Sequence, residues 1–182
     1  MRPSRIGGVH GHLLRVHLGE HGCEAWPEPI PETWFRDVIG GIGLASALLL
    51  EHAPPGVDPL GPQNPLIFAT SPFAGTGITT ASKLAIAARS PQTGLIGESL
   101  SSSYLALALK RTGFDALVIT GQAPAWSTLV IDDAAVSLQP AAALLGTSPR
   151  ATSERLRAAL GQEYRVAAIG AAGETGVRYA AL

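Results

Sequence analysis

Apolar positions recur along the chain in short blocks, and the spacing inside each block separates strand from helix. Residues 12–18 alternate, with Leu14, Val16 and Leu18 on one face, which predicts a strand. A turn follows at 19–22. Residues 23–31 are then extended, because three prolines forbid a helix there. Residues 32–39 are expected to form a short helix that Pro31 starts and Gly40-Gly41 ends. A second helix is expected over 43–51, with Leu44, Ala47 and Leu48 on one face and Pro54-Pro55 as its stop. Residues 66–70 read as a buried strand, 71–82 as a loop rich in Gly, Thr and Ser, 83–88 as another strand and 90–94 as a turn. Ser101 or Ser102 is expected to cap a helix running to Thr112, with Gly113 as its stop. A strand is predicted over 116–120, and a hairpin from 127–131 and 135–138 around Asp132-Asp133. Ser148-Pro149 opens a helix that runs to about Leu160. A strand over 165–169, a loop over 170–176 and a last strand over 177–182 complete the reading. Strands come both in pairs and beside helices, which favours α+β over a doubly wound sheet.

Composition narrows the classes. A length of 182 residues suits a single domain, residues 1–182, with a sizeable core. With 46% hydrophobic and 15% charged residues, a disordered charged tail is excluded. A net charge of −1 gives no electrostatic pull toward nucleic acid or an anionic membrane surface. Aromatics, at 5%, are too sparse for a base-stacking platform. The single cysteine, Cys23, excludes an internal disulfide and a four-thiolate iron–sulfur site. A lone thiol fits a reducing cytoplasm. No apolar stretch follows the basic start at residues 1–5, so no secretory signal is expected. The uncharged apolar run 38–50 is too short to span a bilayer and holds three glycines. A soluble, cytoplasmic protein is expected. The apolar, tail-less stop at Leu182 leads to the expectation of a sheet or partner continuing beyond it.

Four segments could carry chemistry. Gly75 to Lys83 is a glycine- and hydroxyl-rich loop with a cation at its end, able to hold a phosphate through backbone N–H groups. It lacks the Gly-Lys-Ser/Thr ending of a P-loop. Ser99-Leu100-Ser101-Ser102-Ser103 precedes the predicted helix, where free N–H groups can meet an anion and ordinary capping is the plainer reading. Gly170-Ala171-Ala172-Gly173-Glu174-Thr175-Gly176 is superficially like a dinucleotide loop without the βαβ context that one requires. His10, His12 and His17 lie close in sequence, with His10 and His12 on one face of an extended segment, and two imidazoles without a third ligand read as exposed strand histidines. No catalytic constellation stands out.

The order of segments adds more. Leu14-Arg15-Val16-His17-Leu18 is followed by Ile39-Gly40-Gly41-Ile42-Gly43-Leu44-Ala45 and by Val57-Asp58-Pro59-Leu60-Gly61-Pro62-Gln63-Asn64. Then come Leu66-Ile67-Phe68-Ala69-Thr70-Ser71-Pro72 and Arg89-Ser90-Pro91-Gln92-Thr93-Gly94. Leu109-Lys110-Arg111-Thr112-Gly113-Phe114-Asp115-Ala116-Leu117-Val118-Ile119-Thr120-Gly121 and Ala168-Ile169-Gly170-Ala171-Ala172-Gly173-Glu174 close the series. In this order, and near this spacing, the set resembles the N-terminal domain of the aldehyde ferredoxin oxidoreductase family over nearly the whole chain.

The resemblance implies an α+β fold of two intertwined sheet-rich halves with short helices. It implies a base for a tungsten or molybdenum pterin cofactor, tungstopterin or molybdopterin. Helical C-terminal domains or a partner subunit would cover the cofactor and carry the iron–sulfur cluster. The complete enzyme would oxidise aldehydes and pass electrons to ferredoxin. By position, the pterin phosphate would fall to Ala81, Ser82 and Lys83 and to Ser101 and Ser102. The sequence departs from the family there. Ala81-Ser82-Lys83 stands for Gly-Gly-Arg, so the charge is kept and the bidentate fork lost. Leu100-Ser101-Ser102-Ser103 stands for Asn-Ser-Gly-Gly, and Leu100 cannot make the asparagine's hydrogen bonds. Ile42 stands for an arginine. Two functions follow: a pterin-binding domain or subunit that is not active by itself, or a cofactor-free binding or assembly module that keeps the fold. Either would leave an apolar face to a partner or a second copy.

Overall fold

The computed structural model describes residues 6–133 and 135–181, so the basic start at 1–5, Ala134 and Leu182 lie outside the described residues. β1 (His12–Gly19) and β2 (Gly22–Pro29) pair as a hairpin across the expected turn, and α1 (Glu32–Val38) and α2 (Gly41–His52) follow. Then come β3 (Leu66–Thr70), β4 (Lys83–Arg89), β5 (Ile96–Ser102), α3 (Tyr104–Arg111) and β6 (Ala116–Gly121). β7 (Ser127–Asp132), β8 (Ala135–Pro140), a 3-10 turn at Ala142–Leu144, α4 (Pro149–Leu160) and a single turn, α5 (Ala171–Glu174), complete the chain. Six strands form one mixed sheet in the order β2-β1-β6-β3-β4-β5, and β7 and β8 pair separately. Within that sheet β1 and β6 run parallel, and the other neighbours are antiparallel. The α+β class and the short helices are as expected, with the strands divided unequally between the large sheet and the hairpin.

Alternation along each strand sends side chains into two cores. Leu13, Ile67, Ala69, Ala85, Ala87, Ala116 and Val118 meet Phe35 of α1 and Leu44, Ala45, Leu48 and Leu49 of α2. Leu14, Val16, Phe68, Leu84 and Leu117 face the other way, against Ala106 and Leu109 of α3 and the partly buried Leu129, Ile131 and Val136 of the β7–β8 hairpin. Layers on both faces bury Ala116, Leu117 and Val118 in succession, so central β6 reads as a continuous apolar run.

Polar anchors fix the connections. The Asp115 carboxylate, 1% exposed, accepts from the backbone N–H groups of His10 (2.9 Å) and Gly11 (2.7 Å) and pairs with the Lys110 ammonium. One acid therefore holds the segment before β1 against the end of α3. Asn64 and Arg89 join two turns: Arg89 N–H donates to Asn64 Oδ1 (3.0 Å), and the guanidinium donates to Gly94 O (2.8 Å) and Val57 O (2.7 Å). Gly40 packs where a Cβ would stand 2.8 Å from Pro72 Cδ, and at Gly121 (φ 84°) a Cβ would fall 2.0 Å from Leu18 O. Both positions exclude side chains. Ile39 (φ 64°, ψ −59°) sits in a γ-turn of the rare hand, closed by Gly40 N–H to Val38 O at 2.7 Å.

Four expectations are corrected. Residues 96–102 form β5, because pairing with β4 overrides the weak strand propensity of Gly97 and the serines. Ser101 and Ser102 therefore lie in the ladder, and Ser103 caps α3 through Leu105 N–H. Residues 165–169 are extended without a ladder partner among the described residues, and 177–181 hold no strand. The 170–176 loop contains α5, whose Glu174 accepts from Gly146 N–H (2.9 Å). Without a strand before it, this segment has no dinucleotide-binding context.

Candidate functional site

β4 begins at Lys83 and β5 ends at Ser102, and the antiparallel register places these two residues opposite each other. The Lys83 ammonium donates to Ser102 Oγ. Two segments that are about 20 residues apart in sequence thus meet at one end of the β4–β5 pair. Ala81 and Ser82 form the tight approach to β4, with Lys83 N–H bonded to Ala81 O at 2.8 Å. Both are half-buried, whereas Lys83 is exposed. Just before them Thr80 takes a positive φ of 60°. Ser101 lies opposite Leu84.

Lys83 and Ser102 supply an ammonium and a hydroxyl on one face, Ala81 and Ser82 add backbone donors and a second hydroxyl, and Ser101 shares the opposite face with Leu84. That donor set suits a phosphate or another anion, held by a point charge rather than a bidentate fork. The segments on either side expose apolar groups: Phe73, Ile78, Leu100 (63% exposed) and Tyr104. A second cation, Arg165, lies 5.6 Å over the Tyr104 ring. Sequence reasoning missed it, because the contact joins residues about 60 apart and nothing local marks that arginine. Its Nη1 also donates to the carbonyls of Gln162, Glu163 and Tyr164, which hold it in place.

The histidine pair is bound otherwise. His10 Nε2 lies 3.0 Å from Lys110 O, and His12 Nδ1 lies 3.0 Å from His10 O. Among the described residues no group of three or more His, Cys, Asp or Glu side chains could hold a metal, and no helix is long and apolar enough to cross a membrane.

A separate polar cluster joins β1, β2 and the end of α2. Arg15 Nη1 donates to His52 Nδ1 (2.8 Å) and approaches Glu28 Oε2 (3.4 Å), and its guanidinium lies 5.9 Å over Trp26. Burial, and then the Arg15 charge, hold the His52 pKa below its ordinary value, against the opposing pull of Glu28 and Glu51. The folded state therefore favours neutral His52. As pH falls below about 6.5 the unfolded chain takes up this proton first, so stability present above that pH is lost down to the lowered folded pKa. We expect the urea midpoint to drop between pH 7.5 and 5.5, and His52→Gln to flatten part of that drop. An unchanged pH profile in the variant would show that His52 does not contribute.

Residues 13–182 match the family described as "Aldehyde ferredoxin oxidoreductase, N-terminal domain". The tungsten-containing aldehyde ferredoxin oxidoreductase of Pyrococcus furiosus is 35% identical over 178 residues, and that of Thermococcus kodakarensis 36%. Each match covers 96% of this chain and 29% of the relative. The WOR-like subunit of an aliphatic sulfonate oxidoreductase of Pyrococcus furiosus is 30% identical over 95% of this chain and 30% of its own length. Among solved structures, the active site complex BamBC of benzoyl coenzyme A reductase, in complex with 1,5-dienoyl-CoA, superposes with a TM-score of 0.87 at 32% identity. That match covers 95% of this chain and 26% of the other. The chain thus spans less than a third of the length of these relatives. Over nearly its whole length it belongs to the aldehyde ferredoxin oxidoreductase family, as that family's N-terminal domain.

Proposed function

We propose that this chain is the pterin-cofactor-binding N-terminal part of an aldehyde:ferredoxin oxidoreductase-like enzyme and does not turn over by itself. The observation that supports this most is the Lys83–Ser102 pair, which joins the two segments expected to hold a pterin phosphate. Lys83 would supply the charge, Ser82 and Ser102 the hydroxyls, and Ala81 with Ser82 the backbone donors, while Ser101, on the face of Leu84, would contribute through its backbone at most. When bound, a tungsten or molybdenum pterin supplies the metal centre for two-electron oxidation of an aldehyde. The chain's own part is to bind and orient the phosphate end. A [4Fe–4S] cluster needs thiolates beyond the single Cys23, so it belongs to other domains or a partner subunit, from which ferredoxin would take electrons. Exposed Phe73, Ile78, Leu100 and Tyr104 would be covered by those domains or by a second copy.

Calorimetry with a pterin phosphate tests the reading. Lys83→Ala should weaken binding by about 1.5–3 kcal/mol, the range for a hydrogen bond to a charged group. Lys83→Arg should keep or strengthen it by restoring the planar fork. Equal affinity in wild type and Lys83→Ala would remove Lys83 from the site. A second reading, a cofactor-free assembly module, is favoured by exposed Leu100 beside the site and by the bond that Lys83 already makes to Ser102. Absence of any pterin binding would select it.

A further inference from the structure

A crevice of about 130 Å³ lies between β2, α1 and the last turn of α2, among the polar cluster's neighbours and apart from the residues around Lys83. Its walls include Ile30, Trp34 and Leu48, and its polar lining comes from Glu28, Glu51 and His52. The volume is well below the roughly 300–1,000 Å³ of a pocket for a drug-sized ligand. It suits one side chain. Two features define which. Glu51 is exposed and has no hydrogen bond or ion pair among the described residues, so its carboxylate is free to meet a cation. Among the described residues Glu28 pairs only with Arg15, at 3.4 Å. His52 is fixed in one tautomer, because an arginine can only donate: Nδ1 accepts from Arg15, and the proton stands on Nε2. Nε2–H has no partner among the described residues and calls for an acceptor. An occupant therefore needs an apolar stem, a cationic tip and a carbonyl nearby. A lysine in a polypeptide carries all three, whereas a free alkylamine lacks the carbonyl. The compact ammonium fits a narrow crevice better than a planar guanidinium fork.

We propose that this crevice is a docking site for a lysine side chain of a partner protein, with the ammonium on Glu51 and Glu28 and the adjoining backbone carbonyl on His52 Nε2–H. The probe is Nα-acetyl-lysine N-methylamide, compared with its norleucine counterpart, which keeps the stem and the carbonyls and loses the charge. The indole N–H resonance of Trp34, assigned with Trp34→Phe, reports occupancy in the ¹⁵N spectrum of the full chain. The lysine probe should shift this resonance saturably and bind at least about fivefold tighter than the norleucine probe, as expected of a half-exposed ion pair. Exposed Glu51→Gln should abolish that preference and leave the rest of the spectrum in place. Equal binding of the two probes would overturn the proposal, and so would a Trp34 resonance that neither probe moves or a preference that survives in Glu51→Gln.

Discussion

Asp115→Ala is expected to destabilise the fold by about 3–5 kcal/mol, the cost of breaking a buried ion pair by removing one partner. The carboxylate is almost fully enclosed, and so is much of Lys110, whose side chain is 11% exposed. Truncation leaves that ammonium and the N–H groups of His10 and Gly11 without their acceptor. Asp115→Asn keeps an acceptor for part of the set and should lose less. Denaturant unfolding of both variants checks the order. If Asp115→Ala lost under 1 kcal/mol, water would have to reach Lys110, and the anchor role would fail.

Leu44→Ala should cost about 3–5 kcal/mol, near the top of the range for buried leucine truncations. The cost depends on how far neighbours can close the gap. Leu44 is 0% exposed and shares its core with Ala69, Ala85, Ala87 and Ala116 of the sheet, none of which has a flexible side chain to move. The cavity should therefore persist. Leu109, at 8% exposed beside partly buried neighbours on the opposite face, has room for relaxation and should cost less on the same change. Equal losses at the two sites would contradict this account.

Much of the fold is legible where local chemistry and tertiary packing agree. β1 alternates, α1 and α2 are bounded by prolines and glycines, and Ser148-Pro149 opens α4 with the Ser148 hydroxyl bonded to Ala151 N–H. The segments that carry the family resemblance are places where separate stretches touch, as Gly40 does Pro72 and Asn64 does Arg89. β5 is illegible because glycine and serine carry no strand signal, and its conformation comes from its neighbour β4. The extended stretch at 165–169 shows the reverse, with β-branched residues and alternating burial but no partner strand among the described residues. For the candidate site, the sequence marks Lys83 and the serines as flanking loops. The cross-strand pairing that joins Lys83 to Ser102, and the arrival of Arg165 over Tyr104, depend on topology and leave no local trace.

The parallel β1–β6 pair also sets the timing of biosynthesis. Leu13 meets Ala116 and Leu18 meets Gly121, so an early strand waits for residues about 100 positions later before its second edge is filled. At about 5–20 residues per second, that wait is roughly 5–20 s on the ribosome. During this interval the β1–β2 hairpin carries Leu14 and Val16 with no β6 beside it, an open edge of the kind that recruits foreign strands. On β2, Pro27 and Pro29 guard the opposite edge, since neither can donate to a ladder. β1 has no such guard. Nascent chains stalled between β2 and β6 should therefore be the aggregation-prone species, and a chaperone that shields β1 would act only until Gly121 emerges.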